Sequence, residues 1–275
     1  MTKKIKVLEL FSGIGGMHYA LDEAKNHLKG DFDFEIVRAI DISDVANQVY
    51  KHNFPSVDVK GSNICGLTPE MLKKLEVNAI FMSPPCQPFT RQGNQKDLQD
   101  NRTQPFVHIV QDLIPNYQGL DFILIENVKG FESSQAHEML IQMLKSNDFC
   151  YEEFLICPKQ LGIPNSRLRY YLIASKFPGL NKTFASDVQS ISDNILTKFK
   201  LNDCRLSSII NDTSDPFDKS KLALDSKTLL KHAQVFDIVD ETSQGTCCFT
   251  KSYGKYAEGT GNTNSYACIR KIKSY

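Results

Sequence analysis

Cys86 lies in Ser83-Pro84-Pro85-Cys86-Gln87-Pro88-Phe89, directly after the apolar run Ala79-Ile80-Phe81-Met82. As a thiolate it is a nucleophile; as a thiol it packs as a small hydrophobe, the commoner role of a lone cysteine. Pro84 and Pro85 stiffen the backbone before it, because a proline fixes its own φ and extends its predecessor. The cysteine is therefore carried on a rigid loop, where catalytic residues concentrate. Phe11-Ser12-Gly13-Ile14-Gly15-Gly16 is a second candidate. Its glycines let the backbone approach a ligand, and the helix after it offers free N–H groups; a tight turn without a ligand is the alternative. Asp41 ends the next apolar stretch, close to the ~20-residue interval at which an acidic residue holds ribose hydroxyls. It also suits the cap of the next helix. Glu126 follows a fourth apolar run, Phe122-Ile123-Leu124-Ile125.

These residues need strands to carry them. Strands are expected over 6–10, 34–40, 57–60, 79–82 and 122–125, with an adjacent pair over 154–156 and 170–173. Helices are expected over 17–29, 44–52, 69–75 (Thr68 as cap, Pro69 at the first position), 106–113 and 134–147. Strand, glycine turn and helix open a doubly wound α/β fold. All four candidates then fall at carboxyl ends of parallel strands, the edge where such sheets bind ligands. Residues 91–104 form a polar loop with Arg91, Lys96 and Arg102, either a mobile active-site loop or a surface excursion. Beyond 177 the chain turns polar and loses its period, so a boundary is placed near 176. Cys248 to Gly261 sets basic residues beside tyrosines, which suits contact with a nucleic-acid backbone and stacking on bases.

With 41% hydrophobic and 23% charged residues the composition is that of a soluble globular protein. The 32 basic and 32 acidic residues cancel, so net charge neither announces nor excludes a nucleic-acid partner. No apolar run approaches the ~18 residues of a membrane helix. Glu9 interrupts the apolar run after the basic start, so no signal peptide is read. Eight cysteines without such a signal point to reduced thiols in the cytoplasm or nucleus, and their spacing does not suit zinc.

Taken in order, Phe11 to Gly16, Pro84-Pro85-Cys86-Gln87, Glu126-Asn127-Val128 and Arg167-Leu168-Arg169 resemble the motifs of the cytosine-5 methyltransferases. Four longer stretches (83–91, 126–132, 161–170 and 248–261) are similar to the branch historically named DNA methyltransferase 2. Its members methylate an anticodon-loop cytosine of aspartate tRNA. The resemblance covers roughly 5–175 and 247–261. It implies a Rossmann-like S-adenosylmethionine-dependent sheet over 1–176, a small target-recognition segment over 177–262, and a monomer that acts on tRNA, with DNA as the alternative substrate.

The resemblance also implies roles. Cys86 adds as a thiolate to cytosine C6, giving an enamine whose C5 attacks the methyl of S-adenosyl-L-methionine. Glu126 protonates or hydrogen-bonds N3 from a site kept from water. Arg167 and Arg169, alternating in an extended stretch and so sharing a face, lie near the cytosine O2 and the thiol. For the cofactor, Phe11, Ser12 and Gly13 belong to the binding turn, Ile14, Gly15 and Gly16 meet the methionine end, Asp41 the ribose, and Ile42 the adenine. Asn63 and Ile64 lie at the adenine edge, where many relatives carry an aspartate in place of Asn63. Ser83, beside Pro84, lies near the sulfonium. Arg91, Arg102, Cys248, Thr250, Lys251 and Tyr253 are the candidate substrate contacts.

The family continues past Gly259-Thr260-Gly261 with a helix and a segment bearing an Asn-Ser signature, whereas this chain stops at Tyr275. A divergent, truncated tail over 263–275 and an open cofactor pocket are therefore expected. A tRNA enzyme, a DNA enzyme and a non-catalytic binder of tRNA or cofactor all share these motifs.

Overall fold

The structure, a computed structural model, describes residues 4–28, 32–85 and 103–177, with short pieces at 189–190, 205–206, 226–232, 237–240, 242–247 and 262–264. Contacts divide the chain into two units, Met1–Leu155 with Arg169–Ser190, and Ile156–Leu168 with Ile191–Tyr275.

The first unit is built on a mostly parallel sheet. β1 (Ile5–Leu10), β2 (Phe34–Ile40), β3 (Val59–Lys60), β4 (Ala79–Met82) and β5 (Phe122–Val128) are followed by β6 (Cys150–Ile156), β8 (Arg169–Ser175) and β9 (Gln189–Ser190). Their spatial order is β3-β2-β1-β4-β5-β8-β6-β9. β1 pairs in parallel with both β2 and β4, so the strand order reverses between β1 and β4. That reversal is the switch point at which doubly wound sheets leave a crevice. β8 runs antiparallel to β5. β1 ends in a run of four buried residues, as a strand covered on both faces requires.

Helices α1 (Gly16–His27), α2 (Asp44–Asn53), α3 (Pro69–Lys74), α4 (Gln104–His108) and α5 (Gln135–Ser146) cover the sheet. Ser43, Thr68 and Ser134 cap α2, α3 and α5 by accepting from the backbone N–H of Ala46, Met71 and His137. Val7, Ala39, Tyr50 and Ala79 pack with Leu21 and Phe54 into one core cluster. Leu8, Leu72, Ile80, Phe106, Ile123 and Leu140 belong to a larger one.

Two local expectations are corrected. The helix expected over 106–113 is α-helical only through α4 and continues as one wider π turn, Ile109–Leu113. β5 does not stop at Ile125 but runs to Val128, because β8 supplies partners for three more residues, Tyr171 for Glu126, Tyr170 for Asn127 and Arg169 for Val128.

In the second unit a turn over Pro158–Leu161 is closed by Gln160, whose side-chain oxygen accepts from the Cys157 N–H at 2.6 Å. The short strand β7 (Asn165–Ser166) pairs with β11 (Thr246–Cys247), and β10 (Asp237–Val239) pairs with β12 (Asn262–Asn264). The remaining described helix is α6 (Ser226–His232). No helix among the described residues is long and apolar enough to cross a membrane.

Candidate active site

The register of the sheet aligns the site. Ile40, Leu10, Met82, Ile125 and Leu172 form one row across β2, β1, β4, β5 and β8. One residue further along the parallel strands come Asp41, Phe11, Ser83 and Glu126. Four residues far apart in sequence thus stand side by side at the carboxyl edge, spanning the switch point.

Two backbone features shape the turn after β1. Phe11 adopts φ 52° and Gly15 φ 94°, both in the left-handed region. A non-glycine residue held there stores on the order of 1–3 kcal/mol, a cost typical of ligand clamps. Gly15 is constrained twice, since a Cβ added to it would lie 2.8 Å from Phe54 Cε2 and 3.2 Å from Tyr50 Cε2. Backbone bonds from Ser12 N–H to Ile40 O and from Gly15 N–H to Ser12 O fix the turn to the sheet. The Ser12 hydroxyl is buried and has no hydrogen-bond partner among the described residues. Buried polar atoms are almost always satisfied, so an orphan hydroxyl here suits a ligand that supplies the partner.

The Asp41 carboxylate binds this turn to the next helix. Its Oδ2 accepts from Gly13 N–H at 2.9 Å and its Oδ1 from Ser43 N–H at 2.8 Å. The cap of α2 is Ser43 rather than Asp41; the Asp41 carboxylate instead ties the Ser43 backbone to the glycine turn. Asn47 donates to the Asp41 carbonyl at 2.9 Å, and its own Oδ1 is buried without a partner among the described residues.

Around this polar centre the surface is apolar. Ile42 is 80% exposed and Ile14 59% exposed, each beside the turn. Exposed aliphatic side chains flanking a carboxylate suit an aromatic base on one side and a ribose on the other. Ile64 instead lies in the core. Asn63 accepts from Cys65 N–H at 3.0 Å and so caps a short turn over Ile64–Gly66. Ser83 is half-buried, its N–H bonded to Leu10 O at 3.4 Å, and Pro84 is buried.

Glu126 is paired. Its Oε1 lies 3.3 Å from Nε of Arg169, and both side chains are about one-fifth exposed. Arg167 belongs to the second unit, in the link between β7 and β8, and Arg169 opens β8. Cys86, Arg91, Arg102, Cys248, Thr250, Lys251 and Tyr253 lie outside the described residues.

Sequence reasoning missed a polar chain under the glycine turn. Glu9, in the middle of apolar β1, is 1% exposed, and its Oε2 accepts from the Tyr50 hydroxyl at 2.6 Å. Tyr50 in turn lies 3.0 Å from His18 Nδ1. Burial pushes the Glu9 carboxyl up to about 7. The one signal in the sequence was the glutamate itself, a charge in a strand that is otherwise apolar.

The sheet order, the glycine turn and the acidic residue after β2 define an α/β protein of the nucleoside-cofactor-binding class. The C-5 cytosine-specific DNA methylase family model matches residues 5–273. The tRNA (cytosine(38)-C(5))-methyltransferase of Spodoptera frugiperda is 45% identical over 94% of this chain and 73% of its own length. The human protein of the same name is 39% identical over 94% of this chain and 78% of its own. A crystal structure of a Spodoptera frugiperda DNMT2 mutant superimposes with a TM-score of 0.76 at 41% identity, covering 98% of this chain and 79% of that one.

This chain belongs to the C-5 cytosine-specific DNA methylase family. It is a cytosine C5 methyltransferase whose methyl donor is S-adenosylmethionine. The residues at the switch point fit that donor: a turn that accommodates close approach, an orphan hydroxyl at Ser12, the Asp41 carboxylate and exposed aliphatic flanks.

Proposed function

We propose that the chain methylates C5 of cytosine 38 in the anticodon loop of aspartate tRNA. The observation that carries this reading is the 45% identity to a protein named for that tRNA position, spread over 94% of the chain. An unpaired loop cytosine also costs less to extrude than one in a duplex.

When bound, S-adenosylmethionine supplies an activated methyl on a sulfonium. The protein's residues do the rest. Ser12, the glycine turn and Asp41 hold the donor's methionine and ribose ends, Ile42 covers its adenine, and Ser83 faces its centre. Cys86, carried directly after Pro85, adds through sulfur to cytosine C6 and makes C5 nucleophilic. Glu126, level with Ser83 in the sheet, holds a proton at N3 and draws charge from the ring, with Arg169 beside it. A base removes the C5 proton before the bond from Cys86 to C6 breaks. In the second unit Ser166 pairs with Cys247. By family resemblance Arg167, which follows Ser166, acts beside the cytosine O2, and Cys248, which follows Cys247, contacts the substrate.

A second reading, DNA as substrate, rests on the description of the family as DNA methylases. Incubating the chain with aspartate tRNA or cytosine-containing duplex DNA, then sequencing by base conversion, separates the two. Methylation of tRNA cytosine 38 alone supports the proposal. Methylation of the DNA alone overturns it.

A further inference from the structure

The buried polar chain under the glycine turn takes no part in the chemistry above. Glu9, Tyr50 and His18 come from β1, α2 and α1, and are 1%, 0% and 9% exposed. The rings that bear on Gly15 belong to it or touch it. Tyr50 contributes both its hydroxyl to Glu9 and its ring edge to the floor beneath Gly15. Phe54 is the other part of that floor, and His18 stacks on it with ring centroids 3.7 Å apart. The glycine turn therefore rests on two rings whose positions are set by a carboxyl, a hydroxyl and an imidazole.

We propose that Glu9, Tyr50 and His18 are positioning residues for the methyl donor, a hydrogen-bonded relay whose protonation sets how well the glycine turn receives it. The proposal rests on the reading of that turn as the donor site.

The chemistry of the relay has two settings. Ionised Glu9 can only accept, so Tyr50 donates to it and the Tyr50 oxygen accepts from a protonated His18 Nδ1. Protonated Glu9 can donate instead, which lets Tyr50 turn its hydrogen toward an unprotonated Nδ1. One proton on Glu9 thus fixes both hydrogen bonds and the tautomer of His18. The titratable groups facing Glu9 are Tyr50 from α2 and His18 from α1, with Asp22 Oδ2 3.9 Å beyond His18 Nε2. Its partners on β2 and β4, Ala39 and Phe81, are apolar. Burial raises Glu9 to about 7 and lowers His18, so both settings are populated near neutral pH.

Tyr50→Phe tests this, because it keeps the ring under Gly15 and removes only the hydroxyl. Binding of S-adenosylhomocysteine is measured by calorimetry at pH 6 and pH 8, with kcat at saturating donor as the companion readout. At pH 8, where Glu9 loses the donor that favours its ionised form, affinity should fall about tenfold, the scale of one lost hydrogen bond to a charged group. At pH 6 the loss should be smaller, and kcat should change little. Adding Glu9→Gln to Tyr50→Phe should restore most of the affinity, since no buried charge is then left unpaired. Equal affinity of Tyr50→Phe and the parent at both pH values overturns the proposal, provided Asp41→Ala weakens binding. If Asp41→Ala also binds normally, the donor-site reading itself has failed. Should Tyr50→Phe not fold, His18→Gln is the second variant. A change in the pH dependence of its binding supports the relay, and an unchanged one overturns it.

Discussion

Arg169 Nε lies 3.3 Å from Glu126 Oε1, where β8 begins antiparallel to β5. The pair places a fixed positive charge beside the carboxyl assigned to cytosine N3. Glu126 stands within β5 rather than on a loop, one residue past the last β4 pair, and its position is set by pairing with Tyr171 of β8. Removing the carboxyl's proton-handling ability with Glu126→Gln should lower kcat by roughly 10²–10⁴-fold, the usual weight of a general acid or base. Arg169→Ala should lower it less, and the double variant should fall short of the sum of the two effects because the residues are in contact. Steady-state kinetics of the three variants check this. Thermal stability should move little, because a partly exposed ion pair contributes only ~0–1 kcal/mol.

The glycine turn makes a sharper stability prediction. Gly15→Ala introduces a Cβ at 2.8 Å from Phe54 in a residue at φ 94°. Both strain and clash act, so unfolding should be easier by about 2 kcal/mol or more. Gly13→Ala, at φ 54° with open space around the added carbon, should cost only about 1 kcal/mol. Denaturant titration of the two variants should rank them in that order.

Asp41 joins the glycine turn to α2 through Gly13 and Ser43. Asp41→Ala removes both acceptors, each bond to a charged group being worth roughly 1.5–3 kcal/mol. Calorimetric affinity for S-adenosylmethionine should drop by more than about tenfold. Asp41→Asn keeps one acceptor oxygen and should fall between.

The buried carboxyl of Glu9 gives the fold a pH dependence. Its folded-state value, about 7, lies above the ordinary 4.5. Between those values the folded chain holds a proton that the unfolded chain has released, so this group's contribution to stability is full below about 4.5 and is lost as pH rises through 7. The loss amounts to roughly 3 kcal/mol. Glu9→Gln carries no such proton, and its melting temperature should be flatter between pH 5 and pH 8 than that of the parent chain.

Much of this was legible in the residues. The apolar runs 34–40 and 79–82 are strands with those bounds, and Thr68 with Pro69 marks the start of α3. Local signals sufficed there because burial and capping are decided within a few residues. The mid-strand place of Glu126 was not legible, because its extra pairing comes from β8, more than forty residues away. The pairing of β7 with β11 is more distant still, and neither segment has a pattern of its own. Ile42 and Ile64 look alike in sequence, yet one is exposed beside the glycine turn and the other packs in the core. The relay was hidden for a similar reason. Glu9, His18 and Tyr50 become a unit only when β1, α1 and α2 close on one face of the sheet.

Cys86 is the residue on which the proposed chemistry turns, and transfer of labelled methyl from S-adenosylmethionine to aspartate tRNA tests it most directly. The parent chain should label the tRNA at cytosine 38, and Cys86→Ala should not, while its calorimetric affinity for the donor stays within about twofold of the parent because the thiol acts on the base and not on the donor. Transfer by Cys86→Ala at the parent's rate, or none by the parent chain where a full-length relative is active, would contradict the account.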